Sequence, residues 1–156
     1  MRRKDREIIE QKKQRTIVEN AETVRIAFAV GNEPYIVAMS YGFVWDDTLK
    51  LYLHCAREGK KIEMLQQNNR VCFQMEADTI LVIDRLACRW GMNYSSIIGR
   101  GRLSIVTNEE ERVFGLNQLM KNYGKKGGNS HFAAEILQNT FVLRLDVEEI
   151  TAKEKQ

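Results

Sequence analysis

The stretch Leu49-Lys50-Leu51-Tyr52-Leu53-His54-Cys55-Ala56-Arg57-Glu58-Gly59-Lys60-Lys61 alternates cleanly and then stops alternating. Leu49, Leu51, Leu53 and Cys55 fall on one face of a strand, and Lys50, Tyr52 and His54 on the other. From Glu58 to Asn68 the period changes to that of a short helix, with Ile62 and Leu65 on one side. A half-buried strand therefore hands over to a helix through a glycine turn.

The same grammar extends in both directions. Val24 to Val30 reads as a β-branched and aromatic strand, closed by Gly31-Asn32-Glu33-Pro34 as a turn. Tyr35 to Trp45 reads as one longer strand, ended by Asp46-Asp47-Thr48. Val71 to Met75 returns to strand, and Ile80 to Ile83 forms a short one. Asn93 to Val106 reads as a long strand interrupted by Gly99 and Gly101, the mark of a bulge or a close backbone approach. Thr107 or Asn108 caps a helix with Glu three residues on, and that helix stops at Gly124. Ser130 to Asn139 reads as a second short helix before a last strand containing Phe141, Leu143, Leu145 and Val147. The charged segment from Lys4 to about Ala21 reads as an N-terminal helix. Short turns between successive strands favour antiparallel pairing, so a mainly β barrel or rolled sheet with peripheral helices, of the α+β class, is expected. The helices between 107 and 139 are an insertion before the last strand.

Composition bounds the function. A chain of 156 residues, 44% hydrophobic, is long enough for one domain with its own core and too apolar for disorder. No apolar run reaches the span of a bilayer, and the basic start lacks the apolar stretch of a signal peptide, so a cytoplasmic protein is expected. The net charge of +3 is a mild excess, clustered only in the first fifteen residues, and a solvated helix face accounts for it without nucleic acid. Cys55, Cys72 and Cys88 have neither disulfide nor zinc spacing, and two His with scattered carboxylates argue against a metal hydrolase.

Two lysines in the first turn of a helix are unfavourable, because they sit at the positive end of the helix dipole. A bound anion, above all a phosphate, reverses the sign, while two exposed lysines starting a solvated helix remain the plain alternative. Gly99-Arg100-Gly101 lies inside a strand and so fails as a dinucleotide fingerprint. Gly124-Lys125-Lys126-Gly127-Gly128-Asn129 lacks the ending of a P-loop and reads as a loop between helices. No nucleophile–base pair stands out, so any chemistry belongs to a bound cofactor.

Several motifs together, Glu33-Pro34-Tyr35-Ile36-Val37, Leu51-Tyr52-Leu53-His54-Cys55-Ala56 with Glu58-Gly59-Lys60-Lys61, Asn69-Arg70-Val71-Cys72-Phe73 and Tyr94-Ser95-Ser96-Ile97-Ile98-Gly99-Arg100-Gly101, carry a resemblance. The chain resembles the split-barrel flavoproteins related to pyridoxamine 5′-phosphate oxidase, and among them the nitroimidazole-resistance type, over nearly its whole length. The resemblance implies one six-stranded antiparallel split β-barrel domain over residues 1–156, a homodimer, and one FMN in each cleft between subunits. It places the FMN phosphate at His54, Cys55, Lys60 and Lys61. The flavin ring would lie along Val37, Ala38, Met39 and Ser40, and Ser95 and Ser96 would reach the cofactor.

Tyr35 and Ser40 stand where pyridoxamine oxidases carry Arg and Lys, and the C-terminal grip on pyridoxal phosphate is missing. Pyridoxamine oxidation is correspondingly disfavoured. Residue 95 is often basic in the nitroimidazole branch and is Ser here, and Ala152 replaces a common glycine. The function implied is an FMN-dependent reductase of a small electron-poor substrate, such as a nitroimidazole, drawing on NAD(P)H. The alternative is a flavin-binding sensor or storage protein without turnover. His54 either bonds the phosphate, the favoured role, or supplies a proton. Strands Tyr35–Trp45 and Asn93–Val106, apolar on both faces, independently favour a dimer.

Overall fold

A computed structural model describes residues 3–124 and 132–155. Eight strands and four helices follow in the order β1 (Glu7–Ile8), α1 (Gln11–Asn20), β2 (Val24–Val30), β3 (Glu33–Met39), β4 (Tyr41–Trp45), β5 (Leu49–Ala56), α2 (Lys60–Gln67), β6 (Arg70–Val82), β7 (Gly91–Ile105), α3 (Glu109–Gly124), α4 (Ala134–Asn139) and β8 (Thr140–Lys155). All strand pairings are antiparallel, in one sheet ordered β3-β2-β6-β7-β8-β5-β4, with β1 added to β8.

The architecture is the expected mainly antiparallel sheet with peripheral helices, but it has eight strands rather than six. The runs Val71–Met75 and Ile80–Ile83 join into one bulged strand, β6, and two further changes raise the count. The apolar run from Tyr35 to Trp45 breaks at Ser40 into β3 and β4, and the expected N-terminal helix gives up Glu7 and Ile8, which pair with Lys153 and Ala152. The helix begins only at Gln11. The loop expected at Gly124–Asn129 falls almost wholly outside the described residues, as does the start of the helix expected from Ser130.

Ser40 has a topological consequence. It is the single residue between β3 and β4, yet those strands are the two ends of the sheet's hydrogen-bonded path. The sheet must therefore curl until its ends meet, while no ladder joins them: a rolled sheet with a seam. The end of α3 fills that seam. Asn122 Nδ2 donates to the Tyr41 carbonyl (3.0 Å), Tyr41 N–H donates to the Tyr123 hydroxyl (3.2 Å), and that hydroxyl donates to the Glu22 carbonyl (2.7 Å). Tyr41 itself is fully buried, its hydroxyl within bonding distance of the Val18 and Ala21 carbonyls at the end of α1. Burial pushes this phenol's pKa upward.

Inside the roll, alternation puts Val24, Ile26 and Phe28 of β2 against Leu51 and Leu53 of β5, Phe73 and Met75 of β6, and Leu143 and Leu145 of β8. Each such side chain contributes about 1.5–3 kcal/mol by leaving water. The opposite face of β5 is also covered. Tyr52 packs under α3 with Val106, Leu116, Leu119 and Val142, its ring edge-on to Phe114 at 5.6 Å. Asn108 caps α3, accepting from Glu111 N–H at 2.8 Å. Gly99 and Gly101 fulfil the expected close approach: a Cβ on Gly99 would meet the Phe73 ring, one on Gly101 the Asp146 carbonyl, and the β7–β8 register shifts between Arg100 and Gly101.

Candidate functional site

β5 ends at Ala56 on the rim of the roll, and the chain turns through Gly59 into α2. Gly59 holds φ +108°, a conformation that side-chain-bearing residues rarely adopt, and a Cβ there would point into open space. α2 starts without a side-chain cap. The Ile62 and Glu63 amides donate to the Gly59 carbonyl (2.8 and 3.2 Å), so the amides open at the positive end of the helix are those of Lys60 and Lys61.

The two lysines differ. Lys60 Nζ lies 2.7 Å from Glu33 Oε1, at the first residue of β3, and 5.2 Å from the centre of the Tyr35 ring. This pairing raises the lysine's pKa and lowers that of the carboxyl. Lys61 is half-buried and makes no ion pair among the described residues. It stands close enough to Cys55 to counter, in part, the upward push that burial gives the Cys55 thiol. Cys55 itself faces the core, and His54, one position earlier, is exposed opposite Val142 of β8. Arg57 is held away from this turn, donating to the Gln138 carbonyl (2.7 Å) and lying over Phe141.

Lys60 joins the turn to β3, and β3 leads on to Val37, Ala38, Met39 and Ser40. Being the end of the sheet's path, β3 pairs only with β2 among the described residues, so alternate backbone N–H and C=O groups along its other edge are open to a ligand. Ala38 and Ser40 are exposed and Val37 is half-buried, whereas the Met39 side chain is buried in the core. Met39 can offer a ligand its backbone only.

Ser95 and Ser96 lie elsewhere in the chain. His54 aligns with Val142 and Ser96 with Lys153, so the two groups are separated along β8 by about 36 Å at roughly 3.3 Å per residue. Both serines are buried. Ser95 Oγ donates to Asp78 Oδ2 (3.0 Å) and lies 3.3 Å from the Ala77 carbonyl. Asp78 occupies a bulge in β6 at φ +55°. Ser95 and Asp78, with Ile8, Lys13, Ile17 and Tyr94, line a cavity of about 380 Å³ between α1 and the far ends of β6, β7 and β8. Sequence reasoning passed over this cavity, because nothing in the spacing of its lining residues signals that they converge.

The residues fit a flavin mononucleotide in two respects. The uncapped, lysine-bearing start of α2 suits a phosphate dianion, and the open edge of β3 offers donors and acceptors to a flat polar ring. Among the described residues there is no His, Cys, Asp and Glu cluster able to hold a metal, and no helix is long and apolar enough to cross a membrane.

Known structures share this fold. A candidate 5-nitroimidazole antibiotic resistance protein from Bacteroides thetaiotaomicron VPI-5482 superimposes with a TM-score of 0.81 at 28% identity, covering 95% of this chain and 86% of that one. A flavocytochrome from Azotobacter vinelandii (TM-score 0.78, 17% identity, 100% of this chain and 72% of that one) has a similar fold. So does a FAD-binding protein from Mesorhizobium loti (0.66, 19%, 95% and 96%). No curated protein matches the sequence. The profile of the pyridoxamine 5′-phosphate oxidase family matches residues 10–154, nearly the full length, and the chain belongs to that family.

Proposed function

We propose that this protein is a homodimer that binds FMN between its subunits and uses it to reduce a small electron-poor molecule such as a nitroimidazole, with NAD(P)H as donor. The observation that carries the reading is the continuous surface from the uncapped start of α2, through the Lys60–Glu33 contact, to the open edge of β3. Lys61, Lys60 and the α2 amides hold the phosphate, and His54 adds a hydrogen bond to it. The backbone from Val37 to Ser40 orients the ring. The 28% identical structural relative described as a candidate nitroimidazole resistance protein supports the substrate class, and the flavocytochrome and FAD-binding relatives support a flavin.

The flavin supplies hydride acceptance and donation, and the protein supplies binding, orientation and exclusion of water. The net reaction balances as NAD(P)H, a proton and a nitro group giving NAD(P)⁺, a nitroso group and water. The separation of Ser95 and Ser96 from Lys61 within one chain supports a site shared between subunits, with the serines reaching the flavin held mainly by the partner.

The test is direct. Purified protein is expected to be yellow, to release FMN on denaturation and to oxidise NAD(P)H with a nitroimidazole. Lys60→Ala/Lys61→Ala should leave it colourless but folded. Unchanged flavin content in that double variant removes the phosphate assignment.

A further inference from the structure

The β6–β7 hairpin runs past the rest of the sheet. β2 pairs with β6 only at Cys72–Gln74, and β8 pairs with β7 no further than Tyr94. Beyond those points Ile80, Leu81 and Val82 pair only with Asn93, Met92 and Gly91, as a two-stranded arm. A ribbon of that kind is marginal in water on its own. Its tip is nevertheless ordered: Trp90 Nε1 donates to the Asp84 carbonyl (2.7 Å), Leu86 N–H donates to Asp84 Oδ1 (2.9 Å), and a single helical turn spans Ala87–Arg89.

The arm is apolar and uncovered. Ile80, Leu81, Ile83, Leu86, Trp90 and Met92 are each between 42% and 66% exposed. Leu81 and Met92 share one face of the ribbon, while Ile80 points to the other and lines the cavity beside α1. Without Ile80 the uncovered side chains present an area on the order of 500 Å², comparable to the largest apolar patch on a typical monomer. The chain also carries a surface of matching chemistry. On the outer face of the sheet, Ile36 and Ala27 align across β3 and β2, Ala38 and Arg25 one step further on, and Ile98 on β7 lies opposite Gln74. Ile36 and Ile98 are 62% and 47% exposed, and Ala29 and Ala38 lie open beside them. The basic residues on this face are paired, Arg25 with Glu76 at 3.0 Å and Arg100 with Glu149 at 3.2 Å. Small residues with two branched ones make a shallow strip whose charges are paired, and a hairpin of large side chains fills such a strip at native packing density.

We infer that the arm of each subunit lies across the outer β3–β2–β6–β7 face of the other. A twofold axis forms the contact twice, so the arms bury roughly 1,000 Å² and the strips they cover add to it, within the range of stable interfaces. The inference rests on the dimer of the proposed function and names the element that makes it.

Ile83→Glu/Leu86→Glu places two charges in the contact at positions already open in the single chain, and Ile36→Glu does so from the other side. Sedimentation equilibrium at micromolar concentration should show a dimer for the native chain and monomers for both variants. Ile136→Glu, on exposed α4, should remain dimeric. A native chain that is monomeric, or arm variants that remain dimeric, overturn the inference. Flavin content on the same samples separates the two readings. A monomeric arm variant that keeps its flavin retains the docking and removes the shared site, while a dimeric arm variant that binds flavin does the reverse.

Iodide quenching of the native chain needs no substitution. Trp45 is buried, so the quenchable emission belongs to Trp90. Quenching should rise as dilution dissociates the dimer, and quenching that is constant across that dissociation overturns the inference.

Discussion

The Nζ of Lys60 lies 2.7 Å from Glu33 Oε1, so the first turn of α2 and the first residue of β3 are tied by a surface ion pair. Both partners are about half exposed, so solvent screens the pair and it contributes little to stability. A phosphate arriving at α2 competes with Glu33 for the same lysine. Glu33→Gln should therefore tighten FMN binding, by up to about fivefold in Kd measured by fluorescence titration. Weaker binding in this variant would mean that Glu33 positions Lys60 rather than competing for it.

Lys61 has no such competitor among the described residues. Removing it deletes a charge-assisted contact with no compensating release, worth about 1.5–3 kcal/mol. Lys61→Ala should raise the FMN Kd about ten- to a hundredfold, more than Lys60→Ala does. Equal losses from the two would argue against their unequal environments.

Gly42 touches α3 backbone to backbone: a Cβ there would fall 2.2 Å from the Gln118 carbonyl carbon. α3 can admit a methyl group only by lifting off β4. Gly42→Ala should cost about 1–3 kcal/mol or more, read as a lower urea midpoint. Faster proteolysis within α3 should accompany it, because the helix that fills the seam is displaced.

Tyr52 carries a pH signature. Burial, followed by the Glu111 charge beside its hydroxyl, pushes this phenol up to about 12. An unfolded tyrosine ionises near pH 10, so the folded state favours the neutral form. The stability this contributes is complete below pH 10 and is lost as pH rises from 10 to about 12. The Tm of the native chain should fall more steeply across that window than the Tm of Tyr52→Phe. Parallel curves would show that Tyr52 is not the titrating group.

Much of this fold is legible in the sequence wherever apolar alternation is strong. β2 has its sequence-predicted ends at Val24 and Val30, β5 starts at Leu49, and Asn108 caps α3. What escapes is set by partners distant in the chain. β8 continues through Glu148 and Glu149 to Lys155, where charge hides a strand whose pairing comes from β7 and β1. Ser40 carries no turn signal, since the chain does not turn there but passes from one end of the sheet to the other. Lys60 and Lys61 are conspicuous as cations at a helix start, but the Glu33 contact that distinguishes them depends on how α2 meets the β2–β3 hairpin. The convergence of Ser95 with Asp78 and α1 is likewise invisible without the bulge in β6.

β8 pairs with β7, β5 and β1, and it follows all three in the chain. Until it emerges, β5 and β7 present bare edges where their shared neighbour belongs, and β1 has nothing to join. Unpaired edges of that length invite association between nascent chains. The roll thus closes only once β8 has emerged, and a chain cut before Thr140 should accumulate in inclusion bodies rather than as a shortened soluble domain.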